Sequence, residues 1–143
     1  MTDKRFLLDT SAWICSFKPA LNLKTKAFIE SLLSERRVVT CGIVMLELLQ
    51  GAVSEAEYKK LHEDLKALDF MEISPRIWDI SYKVAFTMRR KGNLVPVGDC
   101  LIASLAIGTN VELIHADKHF DAIQKHIPLE AINILRAQSA ELG

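Results

Sequence analysis

Apolar positions along this chain fall into two patterns. Short, largely apolar runs occur at Phe6-Leu7-Leu8, Arg37-Val38-Val39-Thr40-Cys41, Phe70-Met71-Glu72-Ile73, Val111-Glu112-Leu113-Ile114 and Ala131-Ile132-Asn133-Ile134. Their length and their β-branched or aromatic content predict five strands. Between them lie longer stretches with helical spacing. Ala12-Trp13-Ile14 reads as helical, and from Leu21 to Leu33 apolar residues recur between Lys24, Lys26 and Glu30. Ile43 to Gln50 is apolar on every side except at Glu47, with Gly51 as its stop.

Capping chemistry marks the remaining helices. Ser54 followed by Glu57 matches a capping box and opens a helix to about Leu68. Ser74-Pro75 places a cap and a first-turn proline before a helix whose face carries Ile77, Ile80, Val84 and Met88. That helix ends in Arg89-Arg90-Lys91-Gly92, a cationic last turn followed by a glycine stop. Pro96-Val97-Gly98-Asp99 leads into an apolar helix expected to stop at Gly108, and Phe120 to Lys125 forms a short helix before Pro128. Strands alternating with helices predict an α/β fold: a three-layer α/β/α sandwich around a mostly parallel five-stranded sheet.

Composition narrows the class without adding chemistry. The 143 residues are 50% hydrophobic and 25% charged, as expected for a single globular domain over 1–143. Eighteen basic residues balance eighteen acidic ones, so there is no global charge to draw a polyanion. Any such contact must be local. The N-terminal Met1-Thr2-Asp3-Lys4-Arg5 has no apolar leader, and no run approaches membrane-spanning length, which points to a cytoplasmic protein without a membrane partner. Cys15, Cys41 and Cys100 form no paired motif and read as free thiols.

Four carboxylates stand in costly places. Asp9 ends the first strand, Asp117 ends the fourth, and Asp99 lies in the first turn of an apolar helix. Glu47 sits in a helix with no polar face for it, and Ile43, Val44, Gln50 and Gly51 occupy the neighbouring turns. A buried ionised carboxylate costs several kcal/mol unless it is paired, hydrogen-bonded or bound to metal. Each aspartate alone could simply cap a helix or complement its dipole. Strand ends and helix starts converge in parallel sheets, however, and an all-oxygen acidic cluster is what Mg²⁺, or Mn²⁺, prefers.

The segments Leu8-Asp9-Thr10-Ser11, Glu47-Leu48-Leu49-Gln50-Gly51, Asp99-Cys100-Leu101-Ile102-Ala103 and Ala116-Asp117-Lys118-His119-Phe120-Asp121 resemble, in order and spacing, the signatures of PIN-domain ribonucleases. The likeness is greatest to the small VapC-type toxins of bacterial and archaeal toxin–antitoxin pairs. It spans Phe6 to about Ile134. It implies a parallel sheet with the first strand central, and a catalytic acidic site of Asp9, Glu47, Asp99 and Asp117, with Asp9, Asp99 and Asp117 holding Mg²⁺. Ser11 becomes its hydroxyl-bearing neighbour and Asp121 an auxiliary acid. The chain departs from the pattern at His115, where the family usually has Thr or Ser. His115 and His119 could invite a softer metal, but they read better as packing or surface histidines.

The activity so implied is metal-dependent hydrolysis of RNA phosphodiesters by the toxin of a type II module, with an antitoxin partner and a homodimeric state. Arg89, Arg90, Lys91 and Lys118 are the candidate phosphate contacts. The first three serve equally well as a dipole-complementing helix end. The rival readings are a PIN-like binding module without catalysis, a housekeeping RNA-processing nuclease, and a phosphatase that opens with Asp after a strand. The last wants a second Asp where this chain has Ser11.

Overall fold

The computed structural model describes residues 4–136. Residues 1–3, part of the segment read as lacking an apolar leader, and 137–143 lie outside the described residues. The described elements run β1 (Phe6–Leu8), α1 (Thr10–Ser16), α2 (Leu23–Ser34), β2 (Val38–Thr40), α3 (Gly42–Gln50), α4 (Glu55–Lys66), β3 (Asp69–Phe70), α5 (Pro75–Arg90), α6 (Val97–Thr109), β4 (Glu112–His115), α7 (Lys118–His126) and β5 (Ala131–Asn133). The five strands form one sheet in the order β3-β2-β1-β4-β5. Every pairing is parallel, not merely most of them.

β1 is the central strand. Phe6, Leu7 and Leu8 alternate faces yet are all buried, which requires cover on both sides of the sheet. The chain leaves β1 outward through β2 to β3, then returns across to β4 and continues to β5. Winding therefore reverses between β1 and β4, the place where ligands of open α/β sheets bind. Right-handed crossovers assign α1 to α4 to one face and α5 to α7 to the other.

Several boundaries differ from the pattern reading, each for a local reason. The second helix starts at Leu23 rather than Leu21, because Asn22 Oδ1 accepts from Lys24 N–H at 2.8 Å and caps it. The third strand is only Asp69–Phe70; Met71 N–H donates to Thr40 O at 2.9 Å, and Glu72 and Ile73 leave the ladder before the Ser74 cap. Gly108 does not stop α6. The helix ends at Asn110, which adopts a left-handed φ of 57°. Gly108 instead lies at the α5–α6 contact, where an added Cβ would come within 2.2 Å of Ile77 Cδ1. The cysteines are free, with Cys41 and Cys100 buried and Cys15 partly so. Among the described residues no helix is long and apolar enough to cross a membrane.

Candidate active site

The site forms where β1 and β4 end. The parallel ladder continues one residue beyond β1, with Asp9 N–H donating to Ile114 O at 2.9 Å. Asp9 is therefore delivered to the carboxyl edge of the sheet, where it is 3% exposed and caps α1. Ser11 binds it twice: the amide donates to Asp9 Oδ2 at 2.9 Å and the hydroxyl to the same oxygen at 2.5 Å. The Ser11 hydroxyl oxygen also accepts from Ala116 N–H at 2.9 Å. One side chain thus ties the β1–α1 turn to the β4–α7 turn.

Asp117 caps α7 in the same manner, accepting from His119 N–H at 2.9 Å. Asp99, in the first turn of α6, is buried. The His119 ring joins these two acids. Its Nδ1 lies 3.0 Å from Asp99 Oδ2 and 3.1 Å from Asp117 Oδ1. The expectation of a surface or packing role for His119 is thereby corrected. His115 does pack: its ring is fully buried, 5.0 Å from that of Phe120. Its Nδ1 accepts from Asp117 N–H at 3.2 Å, so the residue standing in the usual Thr or Ser position supports the Asp117 turn. Burial favours the neutral ring and lowers its pKa.

Glu47 reaches this group by another route than burial. The sequence places it in an all-apolar helix, but the structure leaves it exposed, and the neighbouring Leu46 is 66% exposed. Its carboxylate is fixed by Thr10, whose hydroxyl donates to Glu47 Oε1 at 2.6 Å. The other oxygen, Oε2, lies 3.8 Å from the position a Cβ would take at Gly98. Glu47 therefore sits between the starts of α1 and α6, close enough to Asp9 for its charge to be felt there. Thr10 was not anticipated; the signal available was a hydroxyl directly after the strand-ending acid.

The electrostatics reflect this crowding. Burial pushes the Asp9 carboxyl above its ordinary value; the Ser11 hydroxyl and amide oppose this, and the charge of Glu47 adds to it. Asp99 is driven from 3.8 up to about 6 by burial and by the charges of Asp9 and Asp117, with His119 pulling the other way. Carboxylates held together at such cost suit a divalent cation, which relieves both burial and repulsion. The donor set fits one: ligand atoms from Asp99, Asp117 and His119 all lie within 4.8 Å of one another.

The other anticipated residues lie around this centre. Asp121 accepts from Asn133 Nδ2 at 3.0 Å and pairs with Arg136, so its carboxylate is engaged on the β5 side. Arg89, Arg90 and Lys91 are exposed at the end of α5, which the 91–96 connection joins to the start of α6. Arg76, at the opposite end of α5, donates to Gly108 O at 2.9 Å. The two helices therefore run antiparallel, and the cationic turn shares the Asp99 end. The Arg90 guanidinium lies 5.8 Å from the centre of the exposed Phe86 ring. Lys118 is exposed at the first position of α7, next to Asp117.

Comparison with known proteins adds to this geometry. The chain is 30% identical over 129 residues to VapC ribonuclease Mb1587 of Mycobacterium bovis and to ribonuclease VapC11 of Mycobacterium tuberculosis, an overlap of 87% of this chain and 96% of each relative. Among solved structures, FitAcB from Neisseria gonorrhoeae superposes with a TM-score of 0.73 at 20% identity, covering 92% of this chain and 99% of that one. VapBC2 from Rickettsia felis, bound to a DNA fragment from its promoter, also gives 0.73 at 18% identity, covering 89% and 96%. The family model described as the PIN domain matches residues 6–126, from the start of β1 to the end of α7. This chain belongs to the PIN-domain family.

Proposed function

We propose that this chain is a divalent-metal-dependent endoribonuclease of the cytoplasm and the toxin of a toxin–antitoxin pair, with Asp9, Glu47, Asp99 and Asp117 as its catalytic acids. The observation that carries the reading is the convergence of these acids at the β1/β4 reversal in a chain whose relatives are named ribonucleases. Asp9, Asp99 and Asp117 hold the cation, which we take to be Mg²⁺ or Mn²⁺. When bound, it supplies an acidified water and offsets charge at the scissile phosphate. Glu47, held by Thr10 at the rim, orients or deprotonates that water. Ser11 keeps Asp9 aimed while fixing the separation of the β1 and β4 ends.

The RNA backbone is gripped locally, by Arg89, Arg90 and Lys91 beside the Asp99 end and by Lys118 beside Asp117. Asp121, tied to Asn133 and Arg136, acts as a support of the α7 start rather than a further acid of the centre. The antitoxin and a second copy of the chain account for apolar surface left exposed among the described residues. On α5, Trp78, Tyr82 and Phe86 stand exposed one turn apart, while Phe17 (60%), Leu46 (66%) and Val53 (86%) are exposed elsewhere. Phe17 also borders an apolar groove with Ala56 and Leu61 of α4.

Purified chain incubated with total cellular RNA, with either ion or with chelator, tests the proposal. Cleavage with Mg²⁺ or Mn²⁺ that chelator stops is expected, and addition of the antitoxin should suppress it. RNA left intact under every metal condition overturns the catalytic reading in favour of a binding module.

A further inference from the structure

We infer that His119 is a metal ligand in this chain, giving the carboxylate site one imidazole nitrogen and turning its preference from Mg²⁺ toward Mn²⁺. The inference rests on the metal-site reading above and deepens it. His119 Nδ1 stands 3.0 and 3.1 Å from one oxygen each of Asp99 and Asp117. Neighbouring ligands of an octahedral ion with bonds of about 2.1 Å are themselves about 3.0 Å apart, and opposite ones about 4.2 Å. The two distances from His119 Nδ1, 3.0 and 3.1 Å, match the spacing of neighbouring ligands, and the three donors lie within 4.8 Å of one another. Nδ1 therefore already stands at a neighbouring-ligand distance from both carboxylates.

The ring is held in place by the backbone as well as by the acids. His119 N–H donates to Asp117 at 2.9 Å, and its side chain is only 34% exposed. His115 does not compete for the role, because its Nδ1 already accepts from Asp117 N–H and its ring is buried. His126 lies at the far end of α7 and His62 on α4. A nitrogen donor discriminates between the two cations. Mg²⁺ prefers oxygen and sheds its waters reluctantly, whereas imidazole binds first-row divalent transition ions well. Three carboxylates alone lack that discrimination.

Calorimetric titration of the free chain with MnCl₂ and with MgCl₂, together with spin-echo resonance of bound Mn²⁺, tests the inference without an activity assay. Wild type is expected to show the nitrogen hyperfine modulation of a coordinated imidazole. In His119→Ala the modulation disappears, and the ratio of Mn²⁺ to Mg²⁺ affinity falls about tenfold or more. His119→Asn, which keeps a polar side chain but not the imidazole, should lose the modulation as well. Bound Mn²⁺ without nitrogen modulation in wild type overturns the inference whether or not the variants fold. So does an unchanged affinity ratio in His119→Ala. Wild type that binds neither ion fails the metal-site reading itself, a result distinct from both.

Discussion

The Thr10 hydroxyl donates a 2.6 Å hydrogen bond to Glu47 Oε1, joining the first residue of α1 to the middle of α3 across 37 positions of sequence. Glu47 is exposed, so the bond does little for stability; its effect is to keep a mobile carboxylate facing Asp9. Thr10→Val is therefore expected to lower kcat for RNA cleavage by about tenfold or more, with KM nearly unchanged and stability within about 1 kcal/mol of wild type. Thr10→Ser should recover most of the rate. Equal loss in the serine and valine variants would show that a hydroxyl here is not sufficient, and the bond to Glu47 would not be what carries the rate.

Asp99 gives the metal-free protein an unusual pH response. Its carboxyl rises from 3.8 to about 6 on folding, so between those values the native state binds more protons than the unfolded one. Stability is then highest below pH 4 as far as this group is concerned, and is lost as pH rises through 6, by at most about 3 kcal/mol and less where solvent screens the carboxyl. Most carboxylates act in the opposite direction. Chemical denaturation in chelator across this range should show the decline, and Asp99→Asn should flatten it. A variant with the same slope as wild type would assign the effect to another group.

Three of the four acids were legible because their places follow from chain geometry. Asp9 and Asp117 end strands and begin helices, and Asp99 begins one, so a parallel sheet must bring them to one edge. Glu47 was found for a reason the fold does not bear out. Periodicity cannot distinguish an apolar face buried in the core from one left open at the surface, and Leu46 beside Glu47 is open. His119 was misread because its position depends on the cap made by Asp117, which turns the second residue of α7 back toward the capping carboxylate. Gly108 shows the same limit in the core: its need for a missing Cβ comes from Ile77, 31 positions away and visible only once α5 and α6 pack.

Arg90 stands at the cationic end of α5, its guanidinium near Phe86 and the rest of it in solvent. If it contacts a phosphate, Arg90→Ala should weaken binding of single-stranded RNA and reduce the slope of log affinity against log salt by about 0.7. Because the residue is exposed, thermal stability should stay within about 0.5 kcal/mol of wild type. Filter binding at several salt concentrations, with catalysis blocked by chelator, measures the slope. A slope equal to that of wild type would leave Arg90 as a complement to the helix dipole.

Asp9 caps α1, and the metal-ligand role proposed for it would place the opposite requirement on its charge. As a cap it needs only an oxygen that accepts from Ser11, which an asparagine also offers. As the proposed ligand it would need the negative charge, which burial and the charge of Glu47 make unfavourable without a cation. Asp9→Asn should therefore abolish RNA cleavage while leaving the metal-free melting temperature equal to that of wild type or a few degrees above it. Added Mg²⁺ or Mn²⁺ should raise the melting temperature of wild type and fail to raise that of the variant, since stabilisation by a ligand scales with its affinity for the native state. A metal-free melt of Asp9→Asn well below wild type would mean that the carboxylate stabilises the fold through the cap and Ser11 more than crowding opposes it, and the electrostatic case for a cation at the β1/β4 reversal would lose its foundation.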